Sequence, residues 1–109
     1  MGSGIDVTVE KLIVPTVKVA CGFKVDEEEL VRLVGFAMAP TSRDIMEKVS
    51  FWLIDSQGNV LKCRICDRGP FTKKGLFLHL TRIHQDDIRA LIGDELRRAL
   101  RKVTHAGPQ

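Results

Sequence analysis

The sequence has few cysteines, few aromatic residues and no long apolar run. It contains three cysteines, one tryptophan and no tyrosine among 109 residues. An odd number of cysteines in a short chain argues against a secreted disulfide framework and favours a reducing compartment. The small number of aromatic rings provides little material for a stacking surface of the kind that binds single-stranded nucleic acid.

No segment approaches the ~20 consecutive apolar residues that a membrane-spanning helix needs, and the start of the chain lacks a signal-peptide pattern. A hydrophobic fraction of 44% with 28% charged residues is typical of one globular domain, with or without a small satellite. The composition therefore excludes a large multidomain enzyme and predicts a soluble, intracellular protein in the cytoplasm.

The N-terminal half predicts strands followed by helices. Residues 5–14 and 16–25 are rich in β-branched side chains and predict two strands on either side of Pro15. Asp26 begins a run of acidic residues, which suits a helix N-terminus because carboxylates complement the helix dipole. We expect this helix to end near Pro40.

A second short helix is predicted to begin at Thr41, and residues 51–65 predict a hairpin with its turn at residues 57–59. Trp52 is expected in the core rather than on a stacking surface. A helix-turn-helix interpretation of the helix pair is disfavoured, because the segment after it is too apolar for a recognition helix. Cys21 is expected to be a small buried hydrophobe.

The C-terminal part has helical periodicity, first from Pro70 to His84 and then through residues 85–103. The second helix carries an apolar strip that either docks on the N-terminal portion or pairs with a second copy: Ile88, Leu91, Ile92, Leu96, Leu100 and Val103. The predicted fold is α+β, divided into a flexible leader (1–4), an N-terminal segment (5–59), a metal-binding module (60–84), a C-terminal helix (85–105) and a polar tail (106–109). His105 is expected to be solvated.

Four residues have the spacing of metal ligands. Two residues separate Cys63 from Cys66, twelve separate Cys66 from His79, and four separate His79 from His84. Two thiolates and two imidazoles complete the tetrahedral shell that zinc prefers, and the intervening loop is long enough to lay a helix over the sulfurs. The sequence therefore predicts one structural zinc ion with no open coordination position for catalysis.

These residues resemble the ββα two-Cys, two-His zinc finger family over residues 60–84. Leu76 matches the core leucine of the family, and Phe71 resembles its core aromatic, one position late. The resemblance implies a DNA-associated protein, such as a small transcriptional regulator. The base-reading positions of the family would fall on Thr72, Gly75 and Leu78, which carry little capacity for reading bases.

Positive charge is concentrated on the metal-binding module. Residues 60–84 carry six Lys or Arg against one Asp, while the whole chain has a net charge of only +3. This concentration favours contacts with nucleic-acid phosphates, although a merely solvated surface is the alternative. The candidate phosphate contacts are Lys73, Lys74, Arg64, Arg68 and Arg82.

Two further functions compete with nucleic-acid binding. One is a protein-interaction module in which zinc only shapes a docking surface that includes Phe77, Leu78 and Leu80, unless these side chains belong to the core. The other is an enzyme, which we do not expect, because the sequence shows no nucleophile with a base, no phosphate-binding glycine loop and no paired catalytic carboxylates.

Overall fold

Five helices and a two-stranded antiparallel sheet make up the described part of the chain, residues 4–58 and 60–106 of the computed structural model. The elements are α1 (Gly4–Ala20), α2 (Glu27–Val34), α3 (Ala39–Leu53), β1 (Ile54–Gln57), β2 (Val60–Cys63), α4 (Lys73–Ile83) and α5 (Gln85–Ala106). The predicted α+β class is confirmed. The predicted leader and tail lie largely outside the described residues, although Gly4 and Ala106 belong to helices.

The two strands predicted for residues 5–14 and 16–25 are wrong, because residues 4–20 form α1. Its buried side chains recur every three or four positions, as in Val9, Ile13 and Val17. This helical period outweighs the β propensity of the individual valines, since burial against neighbouring helices contributes more than intrinsic preference. Pro15 lies inside the helix, although it has no N–H group to donate.

The helix expected after Asp26 is confirmed, but it ends earlier than predicted. The Asp26 carboxylate accepts a hydrogen bond of 3.0 Å from the Glu29 N–H and caps α2. The helix stops at Val34 because Gly35 follows it with φ +89°, a conformation that favours glycine. The next helix begins at Ala39, not Thr41.

The predicted hairpin exists, but its first strand begins later than residue 51. Residues 51–53 complete α3, and the strands pair with Ile54 opposite Cys63 and Gln57 opposite Val60. The prediction that Trp52 is buried is also wrong, since the side chain is 60% exposed. Trp52 lies outside the buried stripe of α3.

The main core lies between α1, α3 and α5, with α4 packed against α1. The largest fully buried side chains are Leu12, Leu30, Met46, Leu53, Leu76, Leu80, Ile88, Ile92, Leu96, Val17 and Val49. The apolar strip of α5 therefore docks on the N-terminal helices, the first of the two predicted arrangements. Among the described residues, no helix has both the length and the apolarity needed to cross a membrane.

Candidate metal centre

The end of β2 and the turn after it form a compact knuckle that carries both cysteines. The Cys63 N–H donates to the Arg68 carbonyl and the Asp67 N–H donates to the Cys63 carbonyl, each at 2.8 Å. Asp67 closes the knuckle with φ +62°, in the left-handed region that aspartate tolerates better than most residues. These bonds reverse the chain and bring Cys66 to the same side as Cys63.

Gly69 and Phe71 return the chain along β2. A Cβ atom at Gly69 would lie 2.8 Å from the Lys62 Cγ and 3.0 Å from the Leu61 carbonyl oxygen, so only glycine fits this close approach. The Phe71 N–H then donates to the Leu61 carbonyl at 2.8 Å. Phe71 thereby forms a one-residue antiparallel bridge to Leu61, on the edge of the hairpin next to α4.

The two histidines lie on and directly after α4, which Thr72 caps by accepting a hydrogen bond of 3.0 Å from the Gly75 N–H. Leu76 and Leu80 are fully buried and fix the rotation of the helix. His79 points to the knuckle, and its ring stacks on Phe71 with centroids 4.8 Å apart. The core aromatic implied by the resemblance thus lies against a ligand, and the core leucine is fully buried.

The four predicted ligands converge on one point. The ligand atoms of Cys63, Cys66, His79 and His84 all lie within 4.8 Å of one another, and the Cys66 Sγ is 3.3 Å from the His79 Nε2. A tetrahedral zinc shell with bonds of ~2.0–2.3 Å requires ligand atoms roughly 3.3–3.8 Å apart. A small contraction of this cluster therefore suffices to hold a metal ion.

His84 gives an independent sign of metal binding. It is only 7% exposed, and its Nε2 is buried without a hydrogen-bond partner. Its Nδ1 lies 3.1 Å from the Asp87 Oδ2. With Nε2 on a metal, Nδ1 would keep the ring proton and donate a hydrogen bond to Asp87, which is the carboxylate–histidine–metal arrangement common at zinc sites. A metal ion would satisfy the buried atom that the protein alone leaves unsatisfied.

Local electrostatics favour the ligating forms of two side chains. The pKa of Cys66 is lowered: desolvation opposes the shift, but the nearby His84 ring and the groups of the knuckle outweigh it. Desolvation lowers the pKa of His79, and the charge of His84 lowers it further. For His84 the proximity of Cys66 and Asp87 outweighs desolvation and raises the pKa. Burial also raises the pKa of Cys63. Metal binding requires thiolates and neutral imidazoles.

Arg64 is one of the five predicted phosphate contacts, and it lies against aromatic rings. Its guanidinium carbon is 5.5 Å from the ring centroid of Phe51 and 6.0 Å from that of Trp52. Its Nη1 also donates to the Phe51 carbonyl at 3.1 Å. Arg64 is nonetheless exposed, so this arrangement leaves it accessible to a partner.

The other four predicted phosphate contacts are also exposed. Lys73 and Lys74 lie in the first turn of α4 and Arg82 in its last turn, while Arg68 belongs to the knuckle. The structure thus brings the metal ligands together but spreads the basic side chains over several parts of the module.

The remaining cysteine and histidine fall outside the cluster. Cys21 is 2% exposed, directly after α1 rather than in a strand, and burial raises the pKa of its thiol to about 11. The prediction of a buried hydrophobe is confirmed. The side chain of His105 lies outside the described residues.

Comparison of the chain with protein-family models, with curated proteins and with solved structures finds no match. The case for a metal site therefore rests on the ligand cluster itself. The sequence analysis did not identify one residue of the candidate metal site, Asp87, whose carboxylate contacts the His84 ring. Its position three residues after a ligand, on the first turn of a helix, was the available signal.

Proposed function

We propose that the protein binds one structural zinc ion through Cys63, Cys66, His79 and His84. The observation that carries this proposal is the buried, unpartnered Nε2 of His84 within a cluster of two sulfurs and two imidazoles. Thiolate and imidazole ligands in a four-membered set favour zinc over magnesium or calcium, which prefer oxygen. The ion would join the knuckle after β2 to the C-terminal end of α4.

A zinc ion bound in this way would be structural rather than catalytic. Zinc binding supplies ~10–16 kcal/mol of apparent free energy in small modules, which compares with a net stability of ~5–15 kcal/mol for a typical domain. Four protein ligands leave no position for a substrate or an activated water molecule. We therefore propose a binding protein and not an enzyme.

We further propose that the basic side chains of residues 60–84 bind the phosphates of nucleic acid. All six are exposed, and among the described residues none has a carboxylate within ion-pair distance: Lys62, Arg64, Arg68, Lys73, Lys74 and Arg82. By contrast, most basic residues elsewhere in the described chain form ion pairs, as Arg32 does with Glu28. Uncompensated cations are available to replace the counterions of a nucleic acid.

The environment of the helix positions expected to read bases supports phosphate contact rather than sequence reading. The Thr72 hydroxyl is engaged in capping α4, Gly75 has no side chain, and Leu78 is half-buried. Direct readout needs side chains that reach the donors and acceptors of the bases. We therefore propose association without sequence specificity, with regulation of transcription as one possible use.

Titration of the zinc-loaded protein with duplex DNA at several salt concentrations tests this proposal. We expect binding that weakens steeply with salt, and the double variant Lys73→Ala/Lys74→Ala should lower the slope of log K against log salt by ~0.9 for each lost phosphate contact. Arg32→Ala, on the exposed face of α2, is the control and should leave the slope unchanged. Absence of binding at low salt, to duplex or to single strands, would refute nucleic-acid association.

The exposed pair Phe51 and Trp52 supports a second candidate, a protein-interaction module. Their side chains are 67% and 60% exposed and stand nearly perpendicular, with centroids 5.8 Å apart. Aromatic side chains beside an arginine are typical of binding hot spots. A protein partner that survives nuclease treatment and is lost with Trp52→Ala would favour this candidate. Leu80 is fully buried and takes no part in such a surface.

A further inference from the structure

A groove of about 550 Å³ lies between α4 and the end of α1, outside the metal centre. We call it the lysine-rimmed groove and define it by its five lining residues: Lys18, Phe23, Lys24, Lys74 and Phe77. It therefore contains aromatic rings and ammonium groups and no acidic side chain. The small number of aromatic residues argues against a stacking surface, but Phe23 and Phe77, which lie far apart in the sequence, meet here.

The two rings of the groove form an apolar surface that remains in contact with solvent. Phe23 is 41% exposed, although it packs edge-to-face against Phe77 with centroids 6.3 Å apart. Part of the Phe23 ring is thus free to contact a planar group. Stacking of a nucleobase on such a ring contributes affinity irrespective of the base, because every base has a π-face.

Positive charge surrounds these rings and is only partly compensated. Lys18 lies 3.4 Å from the Glu29 carboxylate. Lys24 and Lys74, by contrast, have no carboxylate within ion-pair distance among the residues that the structure describes. Two uncompensated ammonium groups beside an apolar surface attract a ligand that combines anions with planar rings.

The backbone beside the groove has little to offer an extended peptide. The Gly22 N–H donates to the Val19 carbonyl at 3.1 Å, and the Phe23 N–H donates to the Lys18 carbonyl at 2.8 Å. Phe77 lies inside α4, whose N–H and C=O groups bond within the helix, and Lys74 in the first turn leaves only a single N–H without an intrahelical acceptor. Recognition by the groove therefore relies on rings and ammonium groups, whereas strand addition requires free main-chain groups.

We propose that the lysine-rimmed groove binds single-stranded nucleic acid, with a base on Phe23 and neighbouring phosphates on Lys24 and Lys74. A nucleotide chain repeats one planar ring and one anion per unit, which matches the two kinds of group in the groove. A duplex does not offer this combination, because its bases stay stacked within the helix. This inference rests on the proposed nucleic-acid association and names the form of nucleic acid that it involves.

Fluorescence anisotropy with the zinc-loaded protein tests the inference. The ligands are a thymidine oligonucleotide of about 12 nucleotides, within the site sizes of small single-strand binders, and an abasic oligomer with the same number of phosphates. We expect the thymidine oligonucleotide to bind more tightly than the abasic oligomer. Phe23→Ala should weaken binding of the thymidine oligonucleotide by about 5- to 100-fold and leave the abasic oligomer unaffected.

Two sets of variants separate stacking from charge. Phe36→Ala is the matched control for Phe23, since Phe36 is 85% exposed and does not line the groove. Lys24→Ala and Lys74→Ala should weaken both oligomers equally and lower the slope of log K against log salt by ~0.7 for each lost contact. Circular dichroism of each variant establishes that the fold is retained.

The possible negative results distinguish failure of the groove proposal from failure of the proposed nucleic-acid association. If both oligomers bind equally well, or if Phe23→Ala behaves like Phe36→Ala, the groove proposal is overturned while the phosphate association stands. If no nucleic acid binds at low salt, both proposals fail. Binding of a peptide of alternating Glu and Leu that depends on Phe23, without binding of either oligomer, would show that the groove takes acidic peptides instead.

Discussion

His84 links the metal centre to both of the last two helices. It ends α4, where its N–H donates to the Leu80 carbonyl at 3.1 Å, and its own carbonyl accepts from the Ile88 N–H of α5 at 3.0 Å. Its ring has one buried nitrogen facing the ligand cluster and the other against Asp87. At the scale of single residues, we therefore expect the proposed zinc binding to depend on Asp87 as well as on the four ligands.

Replacing the Asp87 carboxylate should weaken zinc binding without removing a ligand. We expect Asp87→Asn to lower zinc affinity by about 10- to 100-fold, because the orientation and basicity of His84 lose their support. Competition with a zinc-binding chromophore measures the effect. Asp94→Asn, on the same helix and exposed, is the control and should retain the original affinity. Equal affinity of both variants would contradict the role given to Asp87.

Cys21 should make the protein less stable in alkali. Burial raises the pKa of its thiol to about 11 in the folded state, whereas an unfolded thiol titrates near 8.5. The folded state holds this proton more tightly than the unfolded state does. The buried thiol therefore contributes its full stability below about pH 8.5, and this contribution is lost as the pH rises towards 11. The loss amounts to roughly 2–3 kcal/mol.

Denaturant unfolding at about pH 8 and about pH 11 measures this contribution. The difference in unfolding free energy between the two pH values should be smaller for Cys21→Ala by roughly 2–3 kcal/mol, since alanine has no proton to release. The ligand thiolates are the same in both proteins, so their titration cancels in this comparison. An identical alkaline decline in the variant would show that the Cys21 thiol is not the cause.

At the scale of elements, α4 is held at both of its ends. Thr72 caps its N-terminus and His84 ends it beside the ligand cluster. Loss of the cap should therefore destabilise the helix that carries His79. We expect Thr72→Ala to lower the unfolding free energy by ~1 kcal/mol and to weaken zinc binding measurably.

The cap of α2 provides the matched comparison. Asp26→Ala removes a cap of the same kind and should also cost ~1 kcal/mol of unfolding free energy, but zinc affinity should stay the same. Denaturant unfolding and zinc titration of both variants give the two quantities. If Thr72→Ala leaves zinc affinity as unchanged as Asp26→Ala does, α4 and the metal centre are not coupled in the proposed way.

Local signals were sufficient to predict several elements. The acidic run after Asp26 predicted an N-terminus, and the Cys and His spacing predicted the ligand set, because both depend on residues close together in sequence. The sequence does not predict the first helix, because its valines and threonines individually favour strands. Packing against the neighbouring helices stabilises α1 instead. The prediction that Trp52 is buried is wrong because residues 45–50 already form the buried face of α3, and Trp52 lies outside that face.

Across the whole molecule, a helical core is joined to a hairpin that carries part of the ligand cluster. None of the helices α1, α3 and α5 carries one of the four predicted ligands, whereas β2 and α4 meet at the ligand cluster. The lysine-rimmed groove joins residues that are distant in sequence, so the sequence does not reveal it. The contact between Asp87 and His84 depends on the conformation of both side chains and is not visible in the sequence either. The ligand set could be predicted, but the surface around it could not.

Chelation of zinc should affect these two parts unequally. We expect the amides of β2, the knuckle and α4 to lose protection from hydrogen exchange at least about 10-fold more than those of α3, because local unfolding follows local stability. Hydrogen exchange with mass spectrometry, with and without chelator, reports this by segment. A uniform loss across the chain would instead indicate that the helical core also depends on the metal.

Structural zinc is tested most directly by metal analysis of protein purified without chelator, combined with its melting curve before and after zinc removal. We expect one zinc ion per chain and a lower melting temperature once zinc is removed, restored when zinc is returned. Protein that contains no stoichiometric metal, or that melts at the same temperature with and without zinc, would contradict this expectation.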